Sequence, residues 1–283
     1  MALPEKKPLL EILIGGPQPE DVKERVLGYG RAGVGKSRWV LSLPERYGKI
    51  AYFAADKNSH LLASIDRKKR DRIIVVRPLG QDPTAAFMAF CMKDWKKVDP
   101  AIGTLVVDTY TKVAMDAITY SANSGSMDRE KHFVIGTPGE GGQAIPNRGD
   151  YQAVDSLSKG FLDMLFDRQA DMHILFVCHE DVKIVENVHA VGGPSHPGRQ
   201  MTEYLPAQFS TVVRLIREQQ LVKGADMPED VVVAIGENDG KFIAKVRTED
   251  ESKKNEMARV VCDRNPLNWW TKYDASLGIK ETK

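Results

Sequence analysis

Eight residues constrain this chain more than any others: Gly30-Arg31-Ala32-Gly33-Val34-Gly35-Lys36-Ser37. They match G-x-x-x-x-G-K-[ST] at every fixed position. Glycines let the backbone curl with its N–H groups turned inward, and a following helix adds its positive end, so the segment forms a nest for a polyphosphate. Lys36 sets a point charge against the outer phosphates, and the Ser37 hydroxyl can join a magnesium shell. Such a loop works only between a strand and a helix, and the flanking residues supply both. Arg25-Val26-Leu27-Gly28-Tyr29 reads as a strand, and Lys36 to Leu43 as a helix that Pro44 follows.

A second pattern overlaps the first. Gly28-x-Gly30-x-x-Gly33 is the dinucleotide-binding fingerprint, and an acidic residue, Asp56, lies beyond the next strand. A dinucleotide fold has no use for Lys36 and Ser37 behind the third glycine. The longer and more specific pattern is therefore preferred.

Strand-length apolar runs alternate with helical patterns through most of the chain. Ile50–Ala54, Ile73–Val76, Thr104–Val107 and His173–Cys178 read as strands. Helices are expected over Thr84–Trp95, from Thr109 to about Ala122, and after Asp150 as N-cap, where Tyr151, Val154, Leu157, Phe161, Leu162 and Leu165 share a face. Three short strands close the core: Thr211–Ile216, Val231–Ile235 and Phe242–Val246. Strands without polar alternation mean a sheet covered on both sides, and the last three lack intervening helices. The expected class is α/β, with a mainly parallel central sheet, helices on both faces and an antiparallel edge. Residues 25–248 form the core. Residues 1–24 are an N-terminal extension and candidate oligomerisation arm, with Leu9–Ile14 as a docking strand. Residues 249–283 are a C-terminal tail anchored by Trp269-Trp270. Two Gly/Pro-rich stretches, Asn123–Asp150 and about Asp181–Pro206, read as long functional loops.

Composition narrows the class further. A chain of 283 residues, 42% hydrophobic and 28% charged, can bury a core without disulfides or structural metal. Cys91, Cys178 and Cys262 lie far apart and form no CxxC pair, so reduced thiols are expected. A net charge of +1 excludes coating of nucleic acid by bulk electrostatics but leaves room for a local basic groove. The basic run Arg67-Lys68-Lys69-Arg70-Asp71-Arg72 reads as a solvated helix end. His189 and His196 fit no common zinc spacing. No run approaches the ~20 apolar residues of a membrane helix, and the N-terminus carries no signal-peptide pattern. A soluble, cytoplasmic protein without a membrane partner is expected.

A second anchor supports the phosphate loop. Leu105-Val106-Val107-Asp108 is an apolar strand ending in a carboxylate, the arrangement that places a ligand on the magnesium of a bound nucleotide. Residue 109 is Thr, so a water-activating carboxylate directly after Asp108 is ruled out. The base must come from another strand end, and Asp56 is the best placed.

With these pieces in order, the chain resembles the RecA class of P-loop ATPases. Within that class it looks like small phage-encoded, AAA-type RecA-core nucleotide-binding proteins of recombination gene sets, related to Sak-type single-strand annealing functions. The resemblance spans roughly residues 25–248 in element order and is sharp only in the motifs. It implies a RecA-like fold using ATP and Mg2+. It makes Asp56, in Ala54-Ala55-Asp56-Lys57, the residue that activates water. The family usually has Glu there, so the shorter side chain implies a shifted water or a slow enzyme. His179, after Val177-Cys178, falls where the class senses the γ-phosphate, a place RecA itself fills with Gln. The two irregular stretches fall where the class carries its single-stranded DNA loops, Asn123–Asp150 the first and Asp181–Arg199 the second, with Arg148, Lys183 and Arg199 available to phosphates and Phe133 the aromatic of the first loop. Lys245-Val246-Arg247 resembles the cation pair that reaches a neighbouring subunit's γ-phosphate, which implies a homo-oligomer with nucleotide between subunits. A single-strand binding protein is a further partner of this setting. Two other functions stay open: a P-loop small-molecule kinase, and a nucleotide-binding assembly protein with little turnover, which Asp56 in place of Glu keeps in view.

Overall fold

Strands that are apolar at consecutive positions need cover on both sides, and the computed structural model supplies it. It describes residues 22–56, 65–78, 83–124, 134–135, 143–185, 189–198, 200–220, 227–248, 251–263 and 267–279. The first half runs β1 (Arg25–Gly30), α1 (Lys36–Val40), β2 (Lys49–Ala54), α2 (Arg67–Arg70), β3 (Ile73–Val76), α3 (Pro83–Met92), α4 (Trp95–Val98), β4 (Ile102–Asp108) and α5 (Tyr110–Ser124). Then come β5 (Val134–Ile135), β6 (Gln143–Ala144), α6 (Arg148–Arg168), β7 (His173–Val185), β8 (His189–Pro194) and α7 (Met201–Ala207). The chain closes with β9 (Thr211–Gln220), β10 (Glu229–Ile235), α8 (Glu251–Ala258), β11 (Arg259–Asp263) and α9 (Leu267–Ser276).

The main sheet has nine strands in the order β11-β10-β9-β1-β7-β4-β2-β3, with β8 paired to β7 off this path. From β9 through β3 every pairing is parallel, whereas β10 and β11 add an antiparallel edge. Mainly parallel strands with an antiparallel edge are what the closing strands implied.

Period-two alternation sorts the strand residues into two cores. Leu27, Phe53, Leu105, Val107 and Phe176 face α3, α5 and α6, where they meet Phe87, Phe90, Tyr110 and Leu162. Val26, Tyr52, Ala54, Val106 and Val177 face the opposite side, against Trp39 and Val40 of α1 and Trp269, Trp270 and Tyr273 of α9. Trp39 stacks on Trp270 at 4.9 Å, and Trp270 Nε1 donates to the Trp39 carbonyl at 2.9 Å. Gly28 lies under this cluster, because a Cβ there would come within 2.4 Å of the Trp39 ring. The helix behind the phosphate loop is therefore clamped by the last helix of the chain. Residues after 248, expected as a tail, contribute β11 to the sheet edge and α9 to this clamp.

Several expectations are corrected. Asp181–Pro206 is not an irregular loop: β7 runs on to Val185, pairs with β8 as a hairpin, and α7 follows. Its glycines serve packing, since a Cβ at Gly192 would lie 2.0 Å from the Phe242 ring. Phe242–Val246 is not a strand but makes two isolated bridges, Phe242 with Gly192 and Lys245 with Val212, and β11 takes the third antiparallel place. Asn147, not Asp150, caps α6. Asp150 sits at the third helical position and completes a capping box. The helix after the phosphate loop ends at Val40, and the helix expected over Thr84–Trp95 breaks before Asp94, which caps α4. Cys91, Cys178 and Cys262 are buried and free. Among the described residues no helix is long and apolar enough to cross a membrane. Residues 1–21, including Leu9–Ile14, and Phe133 and Arg199 lie outside the described residues.

Candidate nucleotide site

β1 delivers the chain to Gly30, and α1 begins at Lys36. Between them Gly33 and Gly35 take φ of 76° and 100°, left-handed values that a side chain resists. Buried Val34 pins the middle of the loop, whereas Arg31, Ala32 and Gly33 are exposed. Lys36 is only 6% exposed and donates back to the carbonyls of Gly30 at 2.9 Å and Arg31 at 2.8 Å. Burial lowers the Lys36 pKa, against the pull of Asp108, Cys178 and Asp56. The geometry also bears on the overlap with the dinucleotide pattern. Gly28 is mid-strand and small because of Trp39, whereas Lys36 and Ser37 open the helix.

Parallel register brings the other candidates to the same end of the sheet. Gly30 lies opposite His179, Val177 opposite Asp108, and Asp108 opposite Ala54. Asp108 is 3% exposed. Its Oδ2 accepts from the Tyr52 hydroxyl at 2.6 Å, and its Oδ1 is buried without a hydrogen-bond partner among the described residues. Burial raises the Asp108 pKa. Ser37 and Tyr52 act against this, although Ser37 makes no hydrogen bond of normal geometry to the carboxylate. Asp56 is half-buried, and its Oδ2 takes the Thr109 hydroxyl at 3.5 Å. Thr109, which closed one position to a catalytic carboxylate, thus stands beside the next candidate. The His179 N–H donates to Thr111 Oγ1 at 3.0 Å, and burial, then Lys36, lower the pKa of its ring.

An orphaned buried carboxylate oxygen near a serine hydroxyl fits a hard cation that seeks oxygen ligands. Ser37 and Asp108 are the residues that would hold magnesium. The structure thus brings Lys36, Ser37, Asp108, Asp56 and His179 together. It does not bring Lys245 and Arg247 to them. Lys245 is exposed and bridged to Val212, and Arg247 binds buried Glu24 at 3.0 Å, at the opposite end of the strands. Arg148 is exposed at the start of α6, and Lys183 lies in the hairpin opposite Val191.

Sequence reasoning missed four residues here. In the sequence Tyr52 is one residue of the apolar run Ile50–Ala54. Glu180, whose side chain is 2% exposed, follows His179 and takes Arg214 at 2.7 Å and the exposed Arg31 of the loop at 3.6 Å. The Arg214 guanidinium also lies over the Phe242 ring. Thr109 completes the set. A polar residue in an apolar strand, two places before the strand's end, was the available signal for Tyr52.

A polyphosphate loop at the carboxyl end of β1, with an Asp ending a strand two places away in the sheet, defines a P-loop nucleotide-binding domain. A family model described as an AAA domain matches residues 23–251. The chain belongs to that family, whose members are ATPase-type nucleotide-binding domains. No curated protein matches it.

Proposed function

We propose that this chain is a magnesium-dependent ATPase that couples hydrolysis to single-stranded DNA, in annealing or recombination, as a homo-oligomer. The observation that carries the enzymatic part is the meeting of Lys36, Ser37, Asp108 and Asp56 at one strand-end cluster that keeps a buried oxygen unsatisfied. On binding, Lys36 exchanges its two carbonyl partners for oxygens of the β- and γ-phosphates. Asp56 takes the proton of the attacking water, whose oxygen bonds to the γ-phosphorus as the bond to the bridging oxygen breaks. ADP and inorganic phosphate leave. Magnesium, when bound, neutralises charge on those phosphates. Before nucleotide binds, burial and then Lys36 push the His179 pKa below its usual value, which favours the neutral imidazole at the place where the γ-phosphate would lie.

The DNA reading is supported by continuity. β7 carries His179 and extends without a break into the hairpin that holds Lys183. A shift at His179 is thus passed along the same strand to Lys183, the proposed DNA contact. Lys245, being exposed, is available to a neighbouring subunit's nucleotide, and nucleotide at a subunit interface is part of this proposal.

The test is ATP turnover with and without single-stranded DNA at fixed magnesium. Stimulation that fades with salt is expected. An unchanged rate sinks the DNA coupling. Phosphate transfer to a small acceptor points to a kinase, and tight binding without turnover points to the assembly protein that Asp56 kept open.

A further inference from the structure

We propose that Tyr52 is a positioning residue for the magnesium-nucleotide site. Its phenol fixes the Asp108 carboxylate so that Oδ1 stays unbonded for the metal shell. The inference rests on the nucleotide reading above and adds a residue that the motifs do not contain.

The placement follows from sheet geometry. β2 and β4 are parallel neighbours, with Tyr52 opposite Val106 and Ala54 opposite Asp108. Tyr52 and Asp108 therefore point to the same face, two residues apart along the strands, a rise of about 6.6 Å. A tyrosine ring spans that offset, and the hydroxyl arrives on Oδ2 at 2.6 Å. Below the hydroxyl the ring lies in the core on the α1 face of the sheet, beside its register partner Val106, and the residue is 6% exposed, so the donor cannot swing away. A carboxylate with one oxygen held by a rigid donor has lost its rotation. Its other oxygen, buried and without a partner among the described residues, keeps one orientation near Ser37. Buried polar atoms are rarely left unsatisfied, and a bound ion is one of the few reasons for such an atom at the mouth of a phosphate loop. Outer-shell donors of this kind set the affinity of a metal site, typically by about 10–100-fold.

The bland alternative is that a buried phenol merely found an acceptor. It is separated by a readout linked to magnesium. Binding of a fluorescent, non-hydrolysable ATP analogue is measured for the wild type and Tyr52→Phe, in EDTA and across a Mg2+ titration. Thermal unfolding of both proteins serves as a control. In EDTA the two should bind alike. The Mg2+ concentration that gives half-maximal tightening should rise roughly tenfold or more in Tyr52→Phe. In an Asp108→Asn background, Tyr52→Phe should add no further shift in Mg2+ dependence. The proposal is overturned if Tyr52→Phe matches the wild type across the Mg2+ titration. It is equally overturned if affinity falls by the same factor with and without Mg2+, or if Tyr52→Phe still shifts the Mg2+ midpoint in the Asp108→Asn background. If Tyr52→Phe does not fold, the titration is run with Tyr52→4-aminophenylalanine, whose amino group keeps a donor at the reach of the phenol. A Mg2+ midpoint unlike the wild type's when that donor is present also counts against the proposal. Wild-type binding that ignores Mg2+ would instead defeat the reading of the site as a whole.

Discussion

The two ends of the same sheet are built from similar residues and treated in opposite ways. At the amino ends of the strands, Glu24 is 0% exposed and its polar atoms are engaged. Its N–H donates to His173 Nδ1 at 3.0 Å, Oε1 takes Arg247 at 3.0 Å, and Oε2 takes the Tyr273 hydroxyl at 2.7 Å. Tyr273 in turn meets Thr211 at 2.9 Å, and Arg46 pairs with Asp274 beside Tyr47. At the carboxyl ends, Asp108 keeps one oxygen unpartnered among the described residues, Lys36 borrows loop carbonyls, and the Arg31 side chain is 84% exposed with one long contact to Glu180. Burial raises the pKa of both acids, Glu24 and Asp108. Only one of them has its full set of partners. In a closed network each buried charge is compensated by its partners, so that removing one partner is costly, whereas an open one at the mouth of a phosphate loop leaves its charges for a ligand.

That contrast can be broken at either end. The largest effect is expected for Lys36→Ala, which removes two charge-assisted hydrogen bonds to phosphate at about 1.5–3 kcal/mol each. ATP affinity should fall roughly a hundredfold or more. A titration showing retained affinity would put the nucleotide elsewhere. Asp56→Asn should next lower turnover by a factor on the order of 10² to 10⁴, with ATP binding intact. Equal turnover in the two proteins would remove Asp56 from catalysis.

At the closed end the same kind of change should act on stability. Arg247→Ala leaves Glu24 buried and unpaired, and denaturant unfolding should show a loss of about 2–4 kcal/mol with unchanged ATP affinity per folded molecule. If stability is untouched while turnover of the assembled protein drops, Arg247 acts as a finger and the contrast fails there. The smallest effect is a pH slope. Burial, then Arg46, hold His173 at a pKa of about 3, below its ordinary value near 6.5. The unfolded chain therefore takes up a proton that the folded chain refuses, and stability contributed by His173 is lost as pH falls below about 6.5. The loss should approach ~1.4 kcal/mol per pH unit and be absent in His173→Asn. Parallel unfolding curves for the two proteins between about pH 7 and 5 would contradict the assigned burial.

The open end was the more legible of the two from sequence. Its residues sit in spacings that the chemistry dictates: Lys36 and Ser37 behind glycines, and Asp108 at the end of an apolar strand. Parallel register then brought Asp56 and His179 beside them without any further signal being needed. The closed end was nearly invisible, because Glu24, His173, Thr211, Arg247 and Tyr273 are distant in sequence and follow no pattern. The hairpin was missed for a related reason. Val182 and Ile184 alternate as a strand does, but Gly192-Gly193-Pro194 reads as a turn until Phe242 is seen to need the space. Phe242–Val246, conversely, carries strand-like alternation but is spent on capping Gly192 and bridging Val212, so β11 takes the sheet position.

The most direct measurement is a crystal structure with magnesium and a non-hydrolysable ATP analogue in excess. The triphosphate should be enclosed by the amides of Gly30 to Ser37, with Lys36 Nζ moved from the carbonyls onto phosphate and the metal beside Ser37, Asp108 Oδ1 turned toward its shell. A loop that stays closed on Lys36 under saturating nucleotide, or an analogue bound at another place on the molecule, would contradict this arrangement.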